Sequence, residues 1–143
     1  KNIEQDGNDI DMDLVKVGAI LHDVGRSKTH DVDHGVEGAE ILNERGLEKV
    51  ASIAETHVGA GISKEETKNL NLPEKNLIPT SLEEKIVAYG DNLIVGDKTQ
   101  TYEDALEEMR EELGKNHSSI ERFKKIHQEL KELGAFKDSK NFD

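Results

Sequence analysis

The stretch Asp13–His34, DLVKVGAILHDVGRSKTHDVDH, decides the fold. In its first half Leu14, Val17, Gly18 and Leu21 recur at three and four residues, the period of a helix that packs one face. Asp11 or Asp13 is placed to cap its start. The second half abandons that period and becomes polar and histidine-rich, so the helix is expected to end near His22-Asp23. Working outward, Gly35–Glu44 predicts a second helix through Val36, Ala39, Ile41 and Leu42, stopped at Gly46. Leu47–Val58 predicts a third, with Val50, Ile53, Ala54 and His57 on one stripe. Ser63-Lys64-Glu65-Glu66 and Ser81-Leu82-Glu83-Glu84 each fit a capping box, in which side chains satisfy free N–H groups reciprocally. The second box is expected to open a helix of about four turns ending near Val95. Pro73 and Pro79 fall in the loop between the boxes, which a helix cannot cross.

Two amphipathic segments follow. Tyr102, Ala105, Leu106, Met109 and Leu113 share one face and stop at Gly114; Ile120, Phe123, His127, Leu130 and Leu133 share the next and stop at Gly134. No segment shows sustained alternation with period two, and no Asn-Gly or Asp-Gly turn joins strand-like runs. The expected architecture is an all-α helical bundle with short connections. It is expected to form one domain over residues 1–143, with a core at about 14–95, helices at about 101–134, and a frayed tail from Lys137.

Composition narrows the function. A chain of 143 residues can bury a core without staples. The absence of cysteine excludes disulfides, cysteine-ligated zinc, iron–sulfur clusters and thiol nucleophiles. Nineteen basic against thirty-one acidic residues give a formal charge of −12, which argues against long nucleic acid and against a polybasic membrane contact. No apolar run is long enough to span a bilayer or form a signal-peptide core. The expectation is an acidic, cytoplasmic protein.

The chemistry is concentrated in the histidines. Four of six (His22, His30, His34 and His57) fall between residues 22 and 57. His22 and Asp23 stand at the polar end of an apolar helix, and imidazole with carboxylate suits a divalent metal. Adjacent helical residues diverge by about 100°, so further ligands must come from other helices. Asp91 is one candidate: in KIVAYGDNLIV it is ringed by apolar residues, where an ionised carboxylate is costly unless paired or metal-bound. His57 in ETHVGAG and His34 in DHGVEGA complete the set, each separated from the next by enough chain for a helix. Each also has a plainer reading. A lone histidine on an apolar stripe is more often a hydrogen-bonded core residue, His34 can serve near a cap, and Asp91 can pair with Lys85 or Arg26. Together they favour a metal site. His30 is equally a residue that orients a ligand or a ligand itself, and His117 and His127 read as surface or core positions.

LHDVGR, then DHG, THVGAG and GDNL in that order, resembles the HD-domain superfamily of metal-dependent phosphohydrolases in its HDIG variant, from about Leu14 to Val95. The spacing is similar to that of small archaeal HDIG proteins. The resemblance implies metal ligation by His22, Asp23 and Asp91, with His34 and His57 holding a second ion as in dinuclear members. It also implies a first histidine on an upstream helix. The sequence opens on Lys1 and has no histidine before His22, so the site is expected to lack that donor. Arg26 stands where Lys is common, and Gly90 stands where Ala is usual, loosening that helix slightly.

The expected activity is hydrolysis of a small phosphomonoester or phosphodiester, nucleotide-like, by metal-activated water. One or two ions of manganese, iron, nickel, zinc, cobalt or magnesium are the expected cofactor. Arg26 and Lys28 are candidates for holding phosphate, with a solvated basic loop the equal alternative. Asp23 is a candidate ligand and proton acceptor, and His30 or His34 a candidate proton donor to the leaving group. Two other classes remain: a non-catalytic metal- or nucleotide-binding regulatory module, and di-iron oxygenase chemistry. The stripes of the last two helices are expected to close the core, with a homodimer face as their second use.

Overall fold

The apolar periodicity of the chain is realised as helices wherever a cap and a buried face coincide. The structure, a computed structural model, describes residues 10–134. The opening residues before Ile10 and the tail from Lys137 lie outside that range. Among the described residues there are seven α-helices: α1 (Met12–Leu21), α2 (His34–Glu44), α3 (Glu48–Thr56), α4 (Lys64–Asn69), α5 (Leu82–Asn92), α6 (Tyr102–Leu113) and α7 (Ser118–Glu132). A 3-10 turn, Val24–Ser27, lies between α1 and α2. The all-α expectation therefore holds, apart from one short ribbon.

Asp11 is the residue that caps α1, its carboxylate accepting from Leu14 N at 3.0 Å. Both capping boxes form, at Ser63 with Glu66 and at Ser81 with Glu84. Thr101 caps α6 and the His117 ring caps α7.

Three findings differ from the expectations. Val17 is exposed, and the buried face of α1 runs through Val15 and Gly18 instead. Leu113 is likewise exposed at the end of α6. The helix α5 ends at Asn92 rather than near Val95, because Ile94–Val95 pairs antiparallel with Lys98–Thr99 around Gly96-Asp97. Gly96 has φ +64°, the positive value that tight hairpin turns require at a central position. Gln100 N then donates to Leu93 O at 2.8 Å, closing the ribbon onto the end of α5.

The largest apolar cluster joins α1, α3, α5, α6 and α7 through Val15, Ile53, Val87, Leu106, Phe123 and Leu130. A second is built from small residues, Ala39, Ala51 and Ala54, with Leu42 and Val50, so α2 and α3 approach closely. A third, Ile62, Leu72 and Leu77, is covered by Val32, Val36 and Val58. Close approach also explains Gly25: a Cβ there would lie 1.8 Å from His34 O and 2.6 Å from Gly38 N. The 3-10 turn can lie against α2 only because that side chain is absent. This contact carries the chain from His22-Asp23 onto the start of the helix that bears His34.

Candidate metal centre

Five side chains from four helices meet where these contacts converge. His22 is the C-cap of α1, Asp23 follows it, His34 opens α2, His57 is the C-cap of α3, and Asp91 lies in the last turn of α5. His22 Nε2 is 3.1 Å from Asp91 Oδ1 and 3.3 Å from Asp23 Oδ2. His57 Nε2 is 3.2 Å from Asp23 Oδ1 and 3.0 Å from His34 Nε2. His34 Nε2 is 3.3 Å from Asp23 Oδ1. Two groupings of donor atoms within 4.8 Å result: His22, His57 and Asp91, and Asp23, His34 and His57.

The backbone fixes which way these rings face. Each histidine directs Nδ1 at a carbonyl: His22 to Ala19 O at 2.8 Å, His34 to Asp31 O at 2.9 Å, and His57 to Ala54 O at 2.6 Å. A carbonyl only accepts, so each Nδ1 carries the proton and each neutral ring turns an Nε2 lone pair inward. Three lone pairs and two carboxylates thus face one another, an all-acceptor cluster that only protons or a cation can reconcile. An Nδ1–H held by a carbonyl with Nε2 free is the usual arrangement of a metal-ligating histidine. The residues present therefore fit a divalent ion, and the donor set of nitrogen and oxygen suits transition metals.

Electrostatics agree with this picture. Burial opposes protonation of His22 but is outweighed by its bond to Asp91 and the charges of Asp23 and Asp91, so its pKa is raised. Where His57 Nε2 is protonated it donates to Asp23. That bond, against burial and with the charges of His22, His57 and Arg26, holds the Asp23 carboxyl well below the usual range. Burial, against the bond to Asp31 and with the charges of His57 and Arg26, lowers His34. His57 is 1% exposed whereas Asp23 is 42% exposed, so the cluster is walled on one side and open on the other.

The remaining sequence candidates lie at the rim. Arg26 Nε is 3.4 Å from Asp23 Oδ1. Lys28 is exposed and 4.0 Å from Glu37 Oε1. His30 is exposed and belongs to neither grouping. Asp91 pairs with neither of its plainer partners: Lys85 bonds Glu129 and Arg26 bonds Asp23. His127 is a core residue, its Nδ1 2.6 Å from Tyr89 Oη and its ring stacked on Tyr102 at 3.6 Å. Sequence reading passed over Asn92, whose Nδ2 donates to Gly59 O at 2.7 Å and to Ala88 O at 2.8 Å. It ties the segment after His57 to the helix bearing Asp91. Its place beside Asp91 was the available signal.

Histidines and carboxylates converging from four helices give this helical protein groups that could hold a metal ion. The HD-domain family profile matches residues 2–96, and the chain belongs to the HD-domain family. HD domains bind divalent metals, and the family lies within a superfamily of metal-dependent hydrolases. An uncharacterised protein of Methanocaldococcus jannaschii is 51% identical over 132 residues, covering 92% of this chain and 78% of that protein. A tRNA (cytidine(56)-2'-O)-methyltransferase of Picrophilus torridus is 42% identical over 86% of this chain and 36% of its own length. The protein so named from Thermoplasma volcanium is 41% identical over 84% and 35%. The chain thus spans about a third of these two methyltransferases. No solved structure matches. Among the described residues no helix is long and apolar enough to cross a membrane.

Proposed function

We propose that the chain is a divalent-metal-dependent phosphohydrolase acting on a small, nucleotide-like phosphomonoester or phosphodiester. The observation that carries this reading is the all-acceptor cluster with His57 common to both groupings, open to solvent on the Asp23 side. A divalent ion held there supplies a Lewis acid for phosphoryl oxygens and an activated water near neutral pH. His22 and Asp91 with Asp23 Oδ2 would hold one ion, and His34 and His57 with Asp23 Oδ1 a second. His57 turns only one lone pair inward, whereas a carboxylate offers an oxygen to each side. Arg26 binds phosphate: its guanidinium now rests on Asp23 and is free to turn outward once that carboxylate is engaged elsewhere. A ligating His34 gives its Nε2 lone pair to the ion and its Nδ1 proton to Asp31 O. Of the two proton-donor candidates His30, exposed and outside the cluster, is therefore the one left to carry a proton to the leaving oxygen. The net charge of −12 directs the reading to small substrates rather than long nucleic acid.

The test is metal analysis of the whole protein followed by a phosphoester screen with several metals. Turnover that requires metal and disappears in Asp23→Ala, together with lost metal content, is the expected result. Full metal content and full turnover in Asp23→Ala would sink it. A second reading, a metal- or nucleotide-binding regulatory module, is favoured by one observation. Similar segments are a minor part of two proteins named for methyl transfer to tRNA. Metal binding with no hydrolysis of any ester in the screen would select it.

A further inference from the structure

Beside the metal cluster lies a second feature to which the hydrolytic reading assigns no role. A cavity of about 320 Å³ is walled by Val32, Val58, Ile62, Leu70 and Leu113, with His117 among its polar groups. That volume is within the range of small-molecule sites, and mostly apolar walls with a few fixed polar groups are their usual composition. Leu70 and Leu113 are 43% and 44% exposed although both are large and apolar. Leu113 ends the stripe of α6 without entering the core, so the core does not account for it.

Three connections join this cavity to the metal cluster. Val58 directly follows His57, so its Cα is about 3.8 Å from that of His57. Val32 lies two residues before His34. Gly59, also on the wall, accepts through its carbonyl from Asn92, the residue beside Asp91. Gly59 has φ +59°, and a Cβ there would meet nothing within 4 Å. The segment between the two features is therefore held from the side of the metal cluster and leaves open room at its glycine.

The polar groups select the kind of ligand. His117 Nδ1 accepts from Ser119 N at 3.1 Å as the cap of α7, so the neutral ring carries its proton on Nε2 and offers a donor. Asn69, exposed at the end of α4, adds an amide with both a donor and an acceptor. Glu66, by contrast, is consumed: its carboxylate accepts from Ser63 N, Arg122 and Ser118. An aliphatic chain would cover the leucines but engage neither the imidazole nor the amide. A heterocycle with ring nitrogens and carbonyls satisfies both.

We propose that this cavity is the nucleobase site of the substrate, holding the base between the leucine and valine walls while the phosphate reaches the metal cluster. The proposal deepens the phosphohydrolase reading and rests on it for the phosphate half alone. Leu70 and Leu113 provide the apolar faces, and His117 and Asn69 read the edge of the base.

Two measurements on the whole protein test it. The first needs no turnover: adenosine, guanosine, cytidine and uridine, and separately octanoate, are titrated while leucine and valine methyl resonances are followed. Millimolar nucleoside is expected to shift Leu70, Leu113, Val32 and Val58, with weaker shifts from octanoate. No nucleoside shift at these methyls, or a response to octanoate alone, overturns the proposal even if the protein hydrolyses phosphate esters. The second compares nucleoside monophosphates with methyl phosphate in the metal-loaded protein. Leu113→Glu, and His117→Asp, which keeps a capping acceptor but removes the donor, are expected to raise KM for nucleotides about tenfold or more. They are expected to leave kcat and all constants for methyl phosphate unchanged. Equal effects on both substrates, or none on either, overturn it. If nucleosides bind at these methyls but no ester is hydrolysed, the base site stands and the phosphohydrolase reading fails.

Discussion

Asp23 is the residue that can serve two ions: its Oδ2 is 3.3 Å from His22 Nε2 and its Oδ1 is 3.2 Å from His57 Nε2. The Nδ1 of His57 is pinned to Ala54 O at 2.6 Å, so that ring offers the cluster one lone pair. His34, at the other end of a 3.0 Å contact, belongs to one grouping only. Leucine at either position fills much of the volume without a ligand atom. After loading with manganese or zinc and dialysis, His34→Leu and His57→Leu are each expected to keep the ion of the His22, Asp23 and Asp91 set and to lose the other. Asp23→Ala, which takes an oxygen from both sets, is expected to retain neither. Elemental analysis against protein concentration separates the cases, and equal metal loss in all three variants would contradict the shared carboxylate. At this scale the five donors were legible because an aspartate among apolar residues and histidines at helix ends are costly without a partner. The resemblance pointed to an upstream histidine, and the structure places His57 with His22 and Asp91. That convergence depends on how α1, α3 and α5 pack, and no local pattern encodes it.

Two glycines divide the elements that carry these residues into a tight contact and a loose one. Gly25 lets the turn after Asp23 lie on the backbone of α2, with no room for a methyl group beside His34 O. Gly25→Ala must push that turn off α2 and is expected to cost more than about 3 kcal/mol in urea unfolding. Metal content should fall with it, since Asp23 moves. Gly90 is in the body of α5, and a Cβ there meets nothing within 4 Å. Gly90→Ala is therefore expected to stabilise by about 0.5–1 kcal/mol, with metal content unchanged. Destabilisation by Gly90→Ala would show that the end of α5 needs freedom the static packing does not reveal. The helices themselves were legible where a capping box marked the start, as at Ser63 and Ser81, or where an apolar stripe marked the face, as at Tyr102–Leu113. The end of α5 was not. Leu93, Ile94 and Val95 continue the apolar run, and the period cannot tell a helix turn from a ribbon that closes through Gly96.

Across the whole molecule, Glu66 and Arg122 connect parts far apart in sequence. Glu66 was legible as the last residue of a capping box, three after Ser63, a purely local role. Its partner was not legible, because a cation on α7 has many acids to choose among in a chain with thirty-one of them. In the fold Arg122 Nη2 donates to Glu66 Oε1 at 2.7 Å and to Gly61 O at 2.9 Å, tying α7 to α4 and to the segment beyond His57. Burial raises the Glu66 pKa, but the bonds from Ser118 and Ser63 and the charge of Arg122 outweigh it and bring it down to about 2 from 4.5. A depressed carboxylate pKa contributes stability that is fully present above the unfolded value and is lost as pH falls through the folded one. Between pH 4.5 and about 2, therefore, this contribution fades, while at pH 6 it is complete. Glu66→Gln keeps the reciprocal capping bond but removes the charge. It is expected to lose about 1–3 kcal/mol in urea unfolding at pH 6. The difference from the parent protein should shrink steadily below pH 4.5. A gap that stays constant down to pH 3 would mean that shape, not charge, makes this connection. If it does shrink, the segment that follows His57 is held in place by an ion pair more than fifty residues apart in sequence.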